Sequence, residues 1–581
     1  MTFVSAAMSP SARRQALQDL STTELDVLVI GAGVVGAGAA LDAASRGLKV
    51  GIVEARDLAS GTSSRSSKLV HGGLRYLKQL NFHLVFEALR ERSLILDELC
   101  PHLAKPVAFL YPLEKPVIDR AYVGLGIGVY DVLGAGKGVP AHHKHLSKKT
   151  AMKIFPGAKK GQIHGAIKFY EGQIDDARHT MMLTRTAVAY GAISATSARV
   201  TGFLRQGNRV IGATVKDLET GNDFEVRAKC VVNAAGVWTD EIQHMIGGKG
   251  SFRVTASKGV HVLIQRDKID CQFGLITETE KSLLFIIPCP WSDDLWVIGT
   301  TDTPWNLDLA HPAASEVDID YILDHANGLL ETPLTRADVV GVYAGLRPLL
   351  AGESDDTSKL SREHAVVAPV PGLVIVAGGK YTTYRVMAED AVDEAVKMLP
   401  GGAPKSVTHQ TPLIGADGYR ALVNNKAKIA ADSGLSVDRV DHLLGRYGSA
   451  ITELLALIEA HPELGEELPS APKYLKAEIV YAVSHEGALH LDDILARRTR
   501  ISIDTWHRGV DSAEEVAQLV ASLLDWDEAA IIDEVQHYRA RVAAERDSQV
   551  QPDDRTADAA RLGAADVRVG ASAGDGGAPG A

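Results

Sequence analysis

The sequence predicts an α/β fold with a doubly wound parallel sheet, a second domain of antiparallel strands and an all-α C-terminal domain. Residues 25–55 form the pattern strand, glycine-rich turn, helix and strand, which is typical of a βαβ unit. The stretch 283–303 predicts two antiparallel strands. After about residue 410, apolar residues recur at helical spacing.

The strands of the parallel sheet are short apolar runs. LDVLVI at 25–30 is apolar and β-branched, as buried parallel strands are, and LKVGIVEA follows after one helix. A polar turn inside RVIGATVKDLETGNDFEV predicts a hairpin that leads into a strand ending at NAAG. LVIVAGGK at 373–380 predicts a further buried strand, and FHLVFEALRERSLILDELC has the spacing of a helix.

Length and charge exclude several classes of protein. The 581 residues predict more than one domain, and 46% hydrophobic with 23% charged residues is ordinary for a globular protein. A net charge of −12 argues against nucleic-acid binding, which needs a basic surface. Cys100, Cys230, Cys271 and Cys289 lack paired spacing, so neither a disulfide framework nor a metal site is expected.

Both ends of the chain differ in composition from the rest. Residues 1–22 predict a polar leader without the apolar region of a secretory signal. No apolar run reaches the roughly 18 residues that a spanning helix needs. From about residue 546 the chain is rich in Ala, Gly and Asp, which predicts a disordered tail over 546–581.

GAGVVG at 31–36 has the spacing of a dinucleotide-binding turn. Gly31 permits the tight turn, Gly33 lets the backbone approach a pyrophosphate, and Gly36 lets helix and strand pack closely. The helix that begins here favours an anion at its N-terminus. Glu54, at the end of the second strand, is placed to bind ribose hydroxyls and would repel a 2′-phosphate.

Three segments favour FAD over NAD as the ligand. GTSSRSSKLVHGG directly follows the second strand, VVNAAGVWTD at 231–240 can return to the same nucleotide, and GGKYTTYR at 378–385 opens a helix toward the flavin. A polar surface loop and simple helix capping remain the alternatives. Besides the three glycines and Glu54, the candidate FAD-binding residues are Thr62, Ser63, Ser66, Ser67, Lys68, His71, Gly72, Gly73, Ala235, Gly236, Gly379, Thr382 and Thr383. No flavin-linking His or Cys stands out, so FAD is expected to be non-covalent.

RDLASGTSSRSSKLVHGGLRYL, GLRPL at 345–349, GGKYTTYR and HEGALHLDDILARRTR at 485–500 resemble the FAD-dependent, respiratory-type glycerol-3-phosphate dehydrogenases. The similarity extends from about Asp26 to about Arg539. It implies a Rossmann-like FAD-binding domain, a D-amino-acid-oxidase-like antiparallel substrate domain and the helical domain. It also implies oxidation of sn-glycerol 3-phosphate to dihydroxyacetone phosphate with electrons passed to a membrane quinone. The implied enzyme is a homodimer on the cytoplasmic face of the cell membrane.

The expected domains are discontinuous. The FAD-binding domain takes residues 23–80, 156–245 and 370–400, and the substrate domain takes 81–155 and 246–369. The helical domain takes 405–545. A Lys/His run at 142–149 could meet anionic lipid headgroups or be a solvated loop.

The resemblance also assigns the substrate site. Arg75 and Arg362, with Tyr76 beside Arg75, are expected to bind the phosphate, since arginine supplies bidentate donors. Arg347 is placed nearer the reacting hydroxyl and the phosphate, and Lys380 near the C2 oxygen or the flavin edge. Without the resemblance, each arginine is more typical of a surface salt bridge.

His261 is the preferred base for the C2 hydroxyl proton. Arg347 or Lys380, acting through a water, are the alternative bases. The non-catalytic alternative for His261 is a histidine that makes only a structural hydrogen bond. Two other functions stay open from the sequence: an oxidase that passes electrons to oxygen, and a flavin-binding scaffold without turnover.

Overall fold

The computed structural model describes residues 6–73, 81–113, 143–247, 252–280, 283–351 and 363–568, together with Gly124 and Gly128. The strands, in chain order, are β1 Leu25–Ile30, β2 Val50–Val53, β3 Leu69–Val70, β4 Ala104–Pro112, β5 Lys144–Ser147, β6 Gly165–Ile174, β7 Ile193–Ala195, β8 Ala198–Gln206, β9 Arg209–Asp217, β10 Asp223–Asn233, β11 Val254–Gln265, β12 Gly274–Glu278, β13 Leu283–Cys289, β14 Ser292–Gly299, β15 Thr303–Trp305, β16 Val339–Leu350, β17 His364–Val370, β18 Leu373–Gly378, β19 Glu467–Leu468 and β20 Ala471–Leu475.

The helices occupy the intervals between strands and nearly all of the C-terminal third. In chain order they are α1 Pro10–Thr22, α2 Val34–Ser45, α3 Phe82–Leu94, α4 Lys148–Ile154, α5 Asp176–Ala189, α6 Thr239–His244, α7 Glu316–Asn327, α8 Tyr384–Val396, α9 Tyr419–Asn424, α10 Lys426–Ser433, α11 Val437–Tyr447, α12 Ile451–Ala460, α13 Lys476–Ser484, α14 Ile501–Asp504, α15 Ala513–Leu524, α16 Glu528–Ser548 and α17 Asp554–Leu562. Among these described helices, all are too short or too polar to cross a membrane.

The first sheet has five parallel strands in the order β7-β2-β1-β10-β18. Its strands are buried on both faces because alternate residues enter different cores. Val27 and Val29 pack under α2, α5 and α8, whereas Leu28 and Ile30 pack toward α1 and the β8–β9 hairpin. The strand at 25–30, the hairpin into β10 and the strand at 373 agree with the sequence expectations.

The second sheet is mainly antiparallel, with the order β15-β11-β14-β13-β12-β4-β6-β3 and with β16 paired along β11. Strands β13 and β14 are the antiparallel pair that the stretch 283–303 predicts. Helix α7 covers one face, where Ile322 packs in the same core as Trp296. This sheet places β11 and β16 opposite the carboxyl ends of the parallel strands.

The C-terminal helices enclose two apolar cores of their own. The segment 477–498, which the spacing predicts as one helix, is interrupted: α13 ends at Ser484, and a π-helical turn covers Asp493–Arg498. Gly487 adopts a φ of +71°, and the Asp493 carboxylate accepts hydrogen bonds from the amides of Leu489 and His490. A local turn therefore replaces the middle of the expected helix.

An interdomain ion network joins the parallel-sheet region to the C-terminal helices. It comprises Asp57, Asp175, Asp176, Arg178, Glu486, Arg497, Arg498 and Arg500, all of them buried. Arg498 Nη2 donates to Asp57 at 2.7 Å, Arg500 Nη2 to Asp175 at 2.6 Å, and Arg178 Nη2 to Glu486 at 2.6 Å. The two regions thus share a desolvated, paired charge layer.

The chain beyond residue 546 differs from the expected disordered tail as far as it is described. Helix α16 runs on to Ser548, α17 follows, and residues 566–568 contact the body of the protein. Asp554 binds Lys258 Nζ at 2.5 Å, Asp566 binds Arg56 at 2.8 Å, and Arg568 binds Asp493 at 3.0 Å. Composition predicts disorder because apolar residues are few, but ion pairs hold this segment instead. At the other end, the predicted polar leader is mostly helix α1, which buries Leu20.

Candidate active site

A cavity of about 650 Å³ lies where the two sheets meet. Residues at the carboxyl ends of β1, β2, β10 and β18 line one side, and residues of β11, β13 and β16 line the other. The carboxyl edge of a parallel sheet is the usual ligand site of doubly wound folds. The cavity volume is within the range of small-molecule and cofactor sites.

The glycine turn is built as its spacing predicts. Gly31 has a φ of +97°, and a Cβ on it would lie 2.9 Å from Ala234 O. Gly33 lines the cavity, where a Cβ would lie 3.3 Å from Ser63 Oγ. Gly36 faces the strand instead, since a Cβ there would lie 1.9 Å from Gly31 O. Gly31 therefore permits the tight turn against Ala234, Gly33 keeps the cavity wall free of a side chain, and Gly36 serves packing.

Glu54 ends the second strand at the cavity wall. Its carboxylate accepts hydrogen bonds from the amides of Ala32 at 2.8 Å and Arg56 at 2.9 Å, and burial raises its pKa. These bonds hold the carboxylate in place between the glycine turn and the following loop. Glycine cradle, helix N-terminus and fixed carboxylate together fit the dinucleotide part of FAD.

The serine-rich loop after β2 forms the next stretch of wall. Thr62 Oγ1 donates to Leu346 O at 2.6 Å, and Ser63 Oγ accepts the amide of Val34 at 2.9 Å. Thr62, Ser63, Ser66 and Ser67 all line the cavity. Lys68 does not: its fully buried ammonium donates to Asp176 at 2.7 and 2.8 Å. Its side chain supports the loop from behind.

The remaining candidate cofactor residues divide into two groups. Those that line the cavity are His71, Ala235, Gly236 and Gly379, and those that lie behind its wall are Gly72, Gly73, Thr382 and Thr383. Thr382 Oγ1 accepts the amide of His71 at 3.1 Å and lies 3.2 Å from its carbonyl. Thr382 therefore fixes the His71 backbone from behind.

His261, Arg347 and Lys380 converge on this cavity from three distant segments. His261 Nε2 lies 2.9 Å from Ser67 Oγ, and its ring stacks on Tyr343 with centroids 4.7 Å apart. Within the described residues, Nδ1 of His261 has no hydrogen-bond partner. Burial, with repulsion from Arg347 and Lys68, lowers the pKa of His261, so the imidazole is neutral at pH 7.

Arg347 and Lys380 supply the positive charge of the site. Arg347 Nη2 donates to Thr300 Oγ1 and Thr301 O, both at 3.1 Å. Burial lowers the pKa of Lys380 to about 7, against the attraction of Glu171 and Glu87. Lys380 is thus partly charged near neutrality, which suits a group that meets an anion or a proton.

Asp302 is a site residue that sequence reasoning missed. It lies 3.6 Å from Arg347 and accepts a hydrogen bond from Ser257 Oγ, which itself lies 3.4 Å from Arg347 Nη1. The polar run GTTDT after β14 was its available signal. Arg75, Tyr76 and Arg362 lie outside the described residues.

Comparisons with known proteins agree with this geometry. A family model described as FAD dependent oxidoreductase matches residues 26–390, and one described as the C-terminal domain of alpha-glycerophosphate oxidase matches residues 406–531. Glycerol-3-phosphate dehydrogenase 2 of Mycobacterium tuberculosis (strain ATCC 25618 / H37Rv) is 57% identical over 97% of this chain and 96% of its own length. The mitochondrial glycerol-3-phosphate dehydrogenase of Homo sapiens is 36% identical over 89% of this chain and 73% of its own.

Solved structures lead to the same family. The glycerol-3-phosphate dehydrogenase from Bacillus halodurans complexed with FAD matches with a TM-score of 0.76 and 29% identity, covering 92% of this chain and 98% of that chain. The expected family, fold class and cofactor are confirmed. A glycine cradle that suits FAD, the two matching domain models and these relatives lead to one conclusion: the chain belongs to the family of FAD-dependent glycerol-3-phosphate dehydrogenases.

Proposed function

We propose that the protein oxidises sn-glycerol 3-phosphate to dihydroxyacetone phosphate and passes the electrons to a membrane quinone. The observation that carries this proposal is the convergence of His261, Arg347 and Lys380 on the cavity that also contains the dinucleotide cradle. A neutral base and two cationic groups suit a small phosphorylated alcohol. The names of the relatives support this substrate.

FAD, when bound, supplies the acceptor for the hydride that leaves C2 of the substrate. Eleven of the proposed cofactor residues line the cavity and would hold FAD non-covalently: Gly31, Gly33, Glu54, Thr62, Ser63, Ser66, Ser67, His71, Ala235, Gly236 and Gly379. Gly36, Lys68, Gly72, Gly73, Thr382 and Thr383 would support them from behind.

Binding of the phosphate falls to the arginines. Arg347, braced by Asp302 and by the Thr300–Thr301 turn, presents a fixed guanidinium to the cavity. Arg75, Tyr76 and Arg362 complete the phosphate site in this proposal, on the basis of the family resemblance. Lys380 holds the C2 oxygen while it is protonated. Fixed donors of this kind bring the reacting carbon into place before reaction.

His261 accepts the C2 hydroxyl proton in this proposal. Its lowered pKa keeps the ring neutral, and the bond between Nε2 and Ser67 leaves Nδ1 to accept a proton. Burial of the ring keeps bulk water from competing with the substrate. Lys380 acting through a water is the rival base, because its pKa of about 7 provides a neutral fraction.

The alternative acceptor is molecular oxygen. It is favoured by the match of residues 406–531 to a C-terminal domain named after alpha-glycerophosphate oxidase. Quinone reduction would place the protein on the inner face of the cell membrane, and the family resemblance supports a peripheral homodimer there. Exposed Lys144, Lys148 and Lys149 could meet anionic headgroups there.

Anaerobic stopped-flow mixing of the FAD-loaded protein with glycerol 3-phosphate tests the reaction. Loss of flavin absorbance with this substrate, but not with glycerol, supports the proposal. An unchanged absorbance refutes it and favours a flavin-binding scaffold. Turnover with a soluble quinone, compared with peroxide formation in air, then identifies the acceptor.

A further inference from the structure

A second cavity, of about 100 Å³, lies between the FAD-binding loop, β16 and the C-terminal helices. Its volume corresponds to roughly three water molecules. Two carboxylates, Asp492 and Glu545, are in its wall. The same wall contains six arginines: Arg65, Arg497, Arg500, Arg508, Arg541 and Arg561.

Among the described residues, carboxylates from outside the cavity neutralise two of these arginines. Arg497 binds Asp57 and Asp493, and Arg500 binds Asp175 and Asp176. Because the interdomain ion network compensates their charges, Arg497 and Arg500 add no excess positive charge to the cavity.

The other four arginines are poorly matched within the described residues. Arg508 and Arg561 share Glu545, at 3.2 and 3.8 Å. Arg541 contacts the ring nitrogens of His311, and the side chain of Arg65 donates only to Ala310 O, at 3.3 Å. Asp492, which Arg497 binds at 2.8 Å, also attracts Arg541 and Arg65, so these four arginines face two carboxylates in the wall. The wall therefore carries an excess of positive charge.

The unused polar atoms of the wall are all donors. In the described part of the chain, Nε of Arg500, Nε of Arg541 and Nε2 of Gln549 are buried without a hydrogen-bond partner. Arg500 and Arg541 are at most 9% exposed. Water could accept these hydrogen bonds, but it would leave the charge unbalanced, whereas an oxyanion does both.

We propose that this cavity binds a compact phosphate-type oxyanion, either inorganic phosphate or the phosphate group of a small ester. Arg65, Arg541 and Arg561 supply most of the charge, and Gln549 supplies a neutral donor. Burial and repulsion from Arg497, Arg561 and Arg541 lower the pKa of Arg65 to about 9. Burial and Arg541 likewise lower the pKa of Arg561 to about 10. A bound anion offsets this repulsion.

The site has a structural link to the cofactor. Arg65 lines both cavities, and it lies in the loop whose serines line the proposed FAD cavity. An anion held between Arg65 and the C-terminal helices ties that loop to the helical domain. The proposal does not depend on which electron acceptor or substrate the enzyme uses.

Crystals of the FAD-loaded full chain, soaked in selenate, test the site directly. We expect an anomalous selenium peak within hydrogen-bond distance of Arg541 and Arg561. A cavity that contains only water, in crystals whose other anion sites are filled by selenate, overturns the proposal. This test needs no variant and is independent of folding effects.

Equilibrium dialysis of radiolabelled phosphate tests the site in solution. The variant Arg561→Gln should bind one phosphate fewer per chain than the wild type. Arg539→Gln is the matched control, because Arg539 lies on α16 with Arg541 but is 49% exposed. Equal phosphate stoichiometry in folded Arg561→Gln and in the wild type overturns the proposal. If Arg561→Gln does not fold, Gln549→Leu replaces it and is expected to weaken phosphate binding severalfold.

Unlabelled glycerol 3-phosphate separates the two sources of the anion. The relevant label is the one radiolabelled phosphate that the wild type binds and Arg561→Gln does not. If glycerol 3-phosphate displaces this phosphate from the wild type, the cavity admits phosphate esters. If this phosphate stays bound, the site takes free phosphate. An Arg362→Ala variant should keep this label, since Arg362 belongs to the proposed substrate site. Loss of the label in that variant contradicts a separate site.

Discussion

The cationic groups of the FAD cavity, Arg347 and Lys380, are half-buried, whereas the charged groups of the interdomain ion network are fully buried, and the two regions also differ in how charge is balanced. Arg500 and Asp175 form an ion pair in the network. Burial disfavours both charges, but their mutual attraction is stronger, so the pKa of Arg500 is raised and the pKa of Asp175 is lowered. In the cavity, burial wins and lowers the pKa of Lys380 to about 7. Burial alone therefore does not indicate function; incomplete compensation of a buried charge does.

Removal of a carboxylate from the interdomain ion network should have the largest effect on the free energy of unfolding. Asp57→Asn leaves Arg497 and Arg498 buried with less compensation, so we expect a loss of about 3–5 kcal/mol in the free energy of unfolding. Urea denaturation of the FAD-loaded protein measures it. Asp525→Asn is the control, because the Arg14–Asp525 pair is exposed and contributes about 0–1 kcal/mol. Equal losses in both variants would contradict the distinction.

On the cavity side, His261→Asn should slow flavin reduction by at least about 100-fold while stability changes little. The lowered pKa of His261 means that the neutral base persists below pH 6.5 in the wild type, so the rate should fall only at more acid pH. Anaerobic stopped-flow across pH measures this. His537→Asn serves as control, because this half-buried histidine of α16 does not line the FAD cavity. A wild-type rate in His261→Asn removes His261 as the base.

Lys380 should give the wild type a second pH dependence. Its pKa of about 7 means that it is charged below this pH and loses its charge as the pH rises through it. We therefore expect kcat/KM to fall, by about tenfold per pH unit at most, above pH 7. Lys380→Arg keeps its charge and should lose this decline. If both proteins show the same profile, another group is titrating.

The smallest expected effect concerns a neutral contact. Ser63→Ala removes the hydrogen bond from the Val34 amide to Ser63, which should weaken FAD binding by about 0.5–1.5 kcal/mol. Flavin fluorescence on dilution measures the dissociation constant. Ser64→Ala is the neighbouring control, since Ser64 does not line the FAD cavity. A loss of FAD-binding free energy of about 1.5–3 kcal/mol, as expected for a hydrogen bond to a charged group, would contradict this small contribution of a neutral contact.

Local patterns predict the parallel strands and the glycine turn because neighbouring residues determine them. The strand at 25–30 and the close packing of Gly36 need nothing from elsewhere in the chain. The sequence also identifies His261, Arg347 and Lys380 through family resemblance, and the fold brings them to one cavity.

Long-range pairing could not be predicted in this way. Lys68 is expected along the cofactor path, but Asp176, 108 positions later, binds its ammonium away from the cavity. Asp57 meets Arg498 across 441 positions. Such partners are chosen by tertiary structure, and a carboxylate or guanidinium in the sequence does not indicate which partner it will find.

The ion pair between Arg56 and Asp566 also orders events during synthesis. Arg56 follows β2, which ends at Val53, among the earliest described parts of the cofactor cavity to leave the ribosome, whereas its counter-ion lies near the end of the described residues. Lys258 differs, because Asp318 already supplies one counter-ion before Asp554 is made. Arg56 of the nascent cavity therefore lacks this counter-ion until translation has passed residue 566, which places the final charge balance at this wall of the cofactor site after nearly all of the described chain has been made.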